Sequence, residues 1–346
     1  MSWSWCDEWP DKASLTLVRL GVLDIGSNTV HLLVVDARVG GPPVPAATHK
    51  AQLRLAQHLN DDGSMNDEGV NQLIAMVASS RQFAEDTGCS ALLPFVTSAL
   101  RDATNCDEVI DRCKQETGVD LRVMAGTDES RLTFLATRRW YGWSAGRLGV
   151  FDIGGGSLEI SAGSDEEPDV ALSLPLGAGR MTRDFGDGKI KQMRRHARTV
   201  IGREIGEVLR QAPFDHTVGT SKTFRSLGRL AGAAPASDGP YVRRTLHRSD
   251  LSRWVGELGE MSPSDRAKLP GISEGRSTQI LAGAVIAESV MELAEVDQLD
   301  LCPWAMREGV IMTYLDHLEF YSNGSPRTRP LGADGLDEFT LAEGLA

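Results

Sequence analysis

One pattern, used twice, constrains this chain more than any other feature. Val22-Leu23-Asp24-Ile25-Gly26-Ser27-Asn28-Thr29 aligns with Val150-Phe151-Asp152-Ile153-Gly154-Gly155-Gly156-Ser157, about one domain length further along. In each copy an apolar strand ends in Asp, turns through Gly and small polar residues, and enters a second apolar run. That is the pattern of a β-hairpin. Repeated at this spacing, it predicts a duplicated α/β architecture: two similar domains facing each other across a cleft.

Hairpins of this composition carry a chemistry of their own. Turns made of Gly, Ser, Asn and Thr expose successive backbone N–H groups, and such a nest binds phosphate oxygens. The candidate phosphate-binding residues are therefore Gly26, Ser27, Asn28 and Thr29, and Gly154, Gly155, Gly156 and Ser157. Asp24 and Asp152 end the strands beside the nests, where each can hold Mg²⁺ directly or through water. Either hairpin alone also reads as a sharp structural turn, and it is the repetition that favours two cradles gripping neighbouring phosphates.

Three further turns bear on the same cleft. Gly219-Thr220-Ser221-Lys222-Thr223 lies between a predicted strand and helix, but no Gly precedes the Lys, so it is not a Walker loop. Its helix N-terminus and Lys222 offer an anion site, with a plain N-cap as the alternative. Gly126-Thr127-Asp128-Glu129-Ser130-Arg131 places adjacent carboxylates at a helix start at the domain junction. Such residues ordinarily complement the helix dipole, yet a carboxylate there is also placed to take a proton from an attacking water. In Thr97-Ser98-Ala99-Leu100-Arg101-Asp102, Ser98 caps a helix and Arg101 either offers paired donors to phosphate or sits on the surface.

Periodicity predicts strands at 19–25, 29–36, 91–97 and 119–125, with helices at 67–86, 99–116 and 128–141. A glycine-bounded connector at 142–146 leads to strands at 147–152, 157–162, 170–175, 214–218 and 298–302. Helices follow at 191–210, 221–231, 248–258 and 277–294, with a last one at 304–318. The expected division is an extension at 1–17, a first domain at 18–138, a second at 139–303, and a mobile tail at 319–346.

Net charge is −12, which argues against general nucleic-acid binding and requires any polyanionic substrate to be met by local groups. No apolar run reaches the roughly 18 residues of a membrane span, and the acidic start lacks the apolar core of a secretory signal. Five scattered cysteines without a C-x-x-C pair suggest reduced thiols in a cytoplasmic protein. His31 is expected to be a buried structural histidine. Lys191, Arg194, Arg195 and Arg198 form the clearest basic cluster, read either as a solvated helix face or as a guide for trailing phosphates.

Taken in order, D-I-G-S-N-T-V-H, T-S-A-L-R-D-A, G-T-D-E-S-R, D-I-G-G-G-S-L-E, G-T-S-K-T and R-E-G-V resemble the exopolyphosphatase and guanosine pentaphosphate phosphohydrolase (Ppx/GppA) family over about 19–318. The resemblance implies two ribonuclease-H-like domains of the actin, Hsp70 and sugar-kinase type, in a short two-domain form whose last helix packs back on the first domain. It implies release of terminal phosphate from inorganic polyphosphate, with the 5′-phosphate of guanosine pentaphosphate (pppGpp) as the alternative substrate. A kinase or a non-catalytic sensor of the same superfamily is a more distant alternative. Glu129 falls on the family's catalytic glutamate, and Arg101 on its arginine. Asp24, Asp152 and Glu159 fall on its metal- and phosphate-associated carboxylates. Mg²⁺ is the implied cofactor, with Mn²⁺ and K⁺ left open, and a homodimer the implied assembly. One departure stands out: Arg276-Ser277-Thr278 replaces an R-A-D sequence that carries an extra carboxylate.

Overall fold

Both hairpins form, and each opens a sheet. In the computed structural model, β1 (Val18–Ile25) and β2 (Val30–Ala37) pair antiparallel, with Asp24 opposite His31. β3 (Val44–Ala51) adds beyond β2, while β4 (Ala91–Val96) and β5 (Arg122–Val123) add in parallel on the other side of β1. The order is β3-β2-β1-β4-β5. The second sheet repeats it: β6 (Leu148–Ile153), β7 (Leu158–Gly163), β8 (Val170–Leu174) and β9 (His216–Gly219) occupy the places of β1 to β4. β10 (Thr245–His247) and β11 (Gln298–Leu301) complete the order β10-β11-β9-β6-β7-β8, so β10 is an added edge. The leading strands β1 and β6 are apolar nearly throughout because both faces of a central strand are covered.

The structure describes residues 17–322. The expected extension, except Leu17, and the expected tail beyond Ser322 lie outside the described residues. Residues 319–322 do not begin a tail, because the last helix continues through them.

Several elements depart from the sequence reading. β3 was not expected; it is an edge strand with alternate residues exposed, and Pro45 sits beside a bulge at Val34 and Val35 of β2. Helix α1 (Asp67–Asp86) is capped by the Asn66 side chain, which accepts from the Gly69 N–H at 2.9 Å. The helix expected at 99–116 is two, α2 (Ser98–Arg101) and α3 (Cys106–Thr117). Between them the Asn105 amide bonds both the N–H (2.8 Å) and the C=O (3.0 Å) of Met65, an alternative that interrupts the helix.

Helix α4 (Gly126–Tyr141), assigned from sequence mostly to the first half, packs Phe134 against Leu148, Val150 and Val218 of the second sheet. The unexpected α5 (Ala178–Phe185) precedes α6 (Ile190–Leu209) and α7 (Ser221–Leu230). Then come α8 (Arg248–Glu260), the short α9 (Pro263–Arg266) and α10 (Glu274–Ser277), and α11 (Ile280–Leu293). α11 is apolar on all sides and nearly every residue is buried, so it is the centre of the second half's core. No helix among the described residues is long and apolar enough to cross a membrane.

The last helix, α12 (Met306–Ser322), lays Val310, Ile311 and Tyr314 on Leu20, Val22 and Phe95 of the first sheet. It also crosses α4, where Arg139 forks onto Glu166 (2.8 and 3.0 Å) and Asp316 (2.6 and 3.1 Å). α4 and α12 thus form the layer between the sheets and set the floor of the cleft. Their backbones nearly touch at Gly309, where an added Cβ would lie 2.0 Å from the Leu132 carbonyl oxygen.

Substituting Ala at Gly309 should therefore destabilise by about 1–3 kcal/mol through overpacking, despite Ala's better helix propensity. Gly202, in α6, faces open space. Ala there should keep or raise the melting temperature. Thermal denaturation of the two variants checks the pair: equal melting temperatures would rule out the close helix crossing.

Candidate active site

Each hairpin turn closes in the same way, Gly26 N–H donating to Thr29 O (3.1 Å) and Gly154 N–H to Ser157 O (2.9 Å). Other segments then occupy the carbonyls behind each turn. Ala56 and Arg54 N–H groups donate to Ser27 O (3.3 Å) and Asn28 O (3.0 Å). In the second turn, Ala178 N–H donates to Gly154 O (3.0 Å), and Gly179 and Arg180 N–H groups to Gly155 O (2.9 and 3.0 Å). In a trans peptide the N–H points opposite to its carbonyl. Tying the carbonyls back turns the N–H groups of Asn28, Thr29, Gly155 and Gly156 away from these tethers. Among the described residues no hydrogen bond takes up the Gly155 or Gly156 N–H. They are free donors, as a phosphate nest requires.

The turn tips meet. An added Cβ on Gly155 would lie 3.0 Å from Ser27 Cβ, and one on Gly156 2.4 Å from Ser98 Oγ, so glycine serves the close approach of the two turns. Ser27 and Ser98 share a hydrogen bond of 2.7 Å. Across the cleft, the Asn28 and Gln279 amides pair reciprocally at 2.6 and 3.1 Å. Arg180 joins Gly156 O (3.0 Å) to the Asp102 carboxylate. The two halves are closed on one another at the nests.

Four carboxylates gather beneath them. Asp24 and Asp152 stand at equivalent strand ends, Glu159 lies opposite Asp152 in the β6–β7 register, and Glu129 enters from the first turn of α4. Burial and then the Asp152 charge push the Glu129 carboxyl up to about 8, against the pull of Arg101, whose Nη1 is 3.4 Å from Glu129 Oε2. Glu159 is also held well above the carboxylate range, by burial and then by Glu129 and Asp152, although Ser173 Oγ donates to it at 3.0 Å. Burial raises Asp152 and Asp24; Thr220 Oγ1 donates to the first, and Arg307 lies 4.0 Å from the second. Arg101 Nη1 also bonds the Met124 carbonyl at 2.9 Å, which holds it beside Glu129.

These donors are all hard oxygens, and their excess negative charge suits a hard divalent cation. Among the described residues no three His, Cys, Asp or Glu side chains form a ready cage. An ion of the Mg²⁺ type does not require one, since it takes one or two carboxylates and completes its shell with water and phosphate oxygens.

A cationic wall faces this acidic floor, and sequence reading found only one of its members. Lys222, exposed as a whole residue, is depressed to about 8 by the partial burial of its amine and then by Arg276, Lys50 and Arg225. Arg276 falls to about 10 through burial and Arg225, while its Nη1 donates to Thr223 Oγ1 at 3.3 Å. His31, expected to be buried, is partly exposed on the cleft. It contacts Arg307, and burial, Arg307, Lys50 and Lys222 hold its ring down at about 3. These cations come from β3, α7, α10 and α12 and repel one another across a shared space, which is the signature of a site shaped for an anion. At its edge Ser221 has φ +62°, and its buried Oγ finds no partner of good geometry although the Asp152 carboxyl lies beside it. Arg225 was discoverable, since it lies three residues after Lys222 on one helix face. Lys50 was not, because nothing in its own segment points to the cleft.

Comparison with known proteins agrees with this arrangement. The model of the Ppx/GppA phosphatase family matches residues 34–318. Over 305 residues the chain is 50% identical to exopolyphosphatase 1 of Mycobacterium tuberculosis, covering 86% of this chain and 89% of that protein. Exopolyphosphatase 1 of Mycobacterium leprae is 48% identical, covering 86% and 90%. The crystal structure of an exopolyphosphatase from Cytophaga hutchinsonii superposes with a TM-score of 0.77 at 23% identity, covering 86% of this chain and 98% of the other. The Aquifex aeolicus Ppx/GppA family member does so with a TM-score of 0.72 at 23% identity, covering 90% and 100%. At that identity the two structures speak for the fold, which is the duplicated ribonuclease-H-like one. Identity at half of the aligned positions and a family match across most of the sequence place it: the chain belongs to the Ppx/GppA phosphatase family.

Proposed function

We propose that this protein is an exopolyphosphatase, which hydrolyses the terminal phosphoanhydride bond of inorganic polyphosphate and releases orthophosphate. The observation that carries the reading is the pair of opposed turns with outward-tied carbonyls, set between a carboxylate floor and a cationic wall. A phosphate chain needs such a site: amide donors for neighbouring units, mobile cations for its remaining charge, and a base beside its end. The 50% identity to a mycobacterial exopolyphosphatase supports the same substrate.

In this mechanism the chain end enters between the nests of Gly26, Ser27, Asn28, Thr29 and Gly154, Gly155, Gly156, Ser157. Lys222, with Arg276 behind it, neutralises the following units. Arg101, held by the Met124 carbonyl, lies where it can donate to the transferred phosphoryl group. Glu129 orients a water and takes its proton as the oxygen attacks the terminal phosphorus, and the shortened chain leaves. Asp24, Asp152 or Glu159 would hold Mg²⁺, which would supply charge neutralisation at the phosphate oxygens. Mn²⁺ in its place, K⁺ as a further cation, a cytoplasmic setting and a homodimer belong to this reading as well, and pppGpp is the alternative substrate. The four described cysteines are buried free thiols, which suits a reducing compartment.

Phosphate release from tripolyphosphate, long-chain polyphosphate and pppGpp, assayed side by side with Mg²⁺ and with EDTA, tests the assignment. Release from both polyphosphates but little from pppGpp is expected, and release from pppGpp alone would transfer the reading to the nucleotide. Substituting Gln at Glu129 should lower kcat by about 10²–10⁴ while substrate binding persists. A near-normal rate would remove Glu129 from the role.

A second consequence of Glu129 concerns stability. Its folded pKa is raised above the ordinary 4.5 to about 8, so the stability it contributes is present below pH 4.5 and is lost as pH rises through about 8. In EDTA, the Glu129→Gln protein should melt close to wild type at pH 5 and about 3 °C or more above it at pH 9. Calorimetry across that range checks the sign, and a variant less stable than wild type at pH 9 would show that the carboxylate is not under electrostatic strain.

A further inference from the structure

Two residues that take no part in the mechanism above meet across the cleft beside Arg101. Arg180, near the start of α5, forks between the halves. Its Nε donates to the Gly156 carbonyl of the second nest at 3.0 Å, and its Nη2 to the Asp102 carboxylate of the first half. Asp102 follows Arg101 at the end of α2, and its other oxygen accepts from Arg101 Nε at 3.4 Å. Arg101 Nη1 in turn lies 3.4 Å from Glu129 Oε2. An unbroken chain of polar contacts thus runs from Gly156 through Arg180, Asp102 and Arg101 to Glu129.

Each end of this chain fixes something the reaction needs. At the nest, Arg180 takes two successive carbonyls: its backbone N–H donates to Gly155 O at 3.0 Å, and its side chain holds Gly156 O. The start of α5 is packed on the same peptide, since an added Cβ on Gly177 would lie 2.2 Å from the Gly155 carbonyl. At the other end, a carboxylate held on one oxygen is free to turn, whereas Asp102 is held on both and offers Arg101 a fixed acceptor. Met124 O and Asp102 then fix the Arg101 plane, and among the described residues no hydrogen bond takes its Nη2. The Arg180 and Asp102 side chains are 29% and 40% exposed, so their pairing adds little to stability. Its effect is on geometry, because a planar guanidinium bonded at two edges cannot rotate.

We propose that Arg180 and Asp102 are positioning residues for phosphoryl transfer, a bridge that sets the second nest and the Arg101 guanidinium in register when the two halves close. The proposal rests on the exopolyphosphatase reading and deepens it. Neither residue touches the reacting atoms. Asp102 acts through Arg101, and Arg180 acts through both Asp102 and the nest.

A double-mutant cycle with tripolyphosphate as substrate tests the bridge. Asp102→Ala should lower kcat about tenfold with KM within about twofold, since the nest keeps its tether. Arg180→Met should lower kcat by a similar factor and also raise KM, since the Gly156 carbonyl is released. The double variant should turn over no more slowly than Arg180→Met, because the two residues act in series. Arg180→Lys keeps the charge but not the fork, and its kcat should stay low. All four variants should melt within about 3 °C of wild type. Additive losses of kcat, a wild-type kcat in Asp102→Ala or Arg180→Lys, or losses matched by a larger fall in melting temperature overturn the proposal. A second measurement needs no activity: hydrogen exchange at the Ala178, Gly179 and Arg180 amides, which tie the nest carbonyls, in wild type and Asp102→Ala without substrate. Exchange should quicken about threefold or more, although Asp102 lies in the other half. If the wild type releases no phosphate from polyphosphate, the exopolyphosphatase reading fails, and quicker exchange still decides for the bridge while unchanged exchange decides against it.

Discussion

The site depends on the planarity of the peptide bond. A trans peptide that gives its carbonyl to one side must offer its N–H to the other. Here each turn has its carbonyls taken from behind, by Arg54 and Ala56 in one half and by the start of α5 in the other. The amides that remain are turned off these tethers without any side chain having to aim them. Close contact between Gly155, Gly156, Ser27 and Ser98 then requires residues without bulk, which is why glycine and serine dominate both turns.

Around that backbone frame the electrostatics are arranged against stability. Four carboxylates with raised pKa values stand on one side, and cations with lowered ones on the other. Neither group finds enough opposite charge within the chain to restore ordinary pKa values. The apolar second core around α11 and the α4–α12 layer offset this cost, holding both sheets in place while the cleft remains unsatisfied. The left-handed Ser221 is a smaller instance of the same strain, stored at the start of α7.

Much of this is legible in the sequence. The strand-Asp-turn-strand pattern is local, its apolar period fixes the hairpin, and its recurrence implies two sheets of one design. The carboxylates of the 126–131 turn read correctly as the start of a helix at the junction, since β-strand and helix patterns abut there. Other features were hidden for stated reasons. β3 is a half-exposed edge whose pairing partner, not its composition, makes it a strand. The break between α2 and α3 depends on Asn105 reaching Met65, a contact that no window of sequence contains. His31 resembles a core histidine by its flanking Val30 and Leu32, yet it partly faces the cleft opposite Asp24, as Glu159 lies opposite Asp152.

By itself, then, the sequence determined the two hairpins, the glycine positions and the helix-start carboxylates, because turn chemistry and period act between near neighbours. Tertiary structure alone decided that Lys50, Lys222, Arg276 and Arg307 share one space, that α4 serves the second sheet, and that α6 runs parallel to α11. Those relations join residues tens to hundreds of positions apart, and they come into being only when two sheets close over a common layer of helices. Proximity of that kind leaves no periodic trace in the chain.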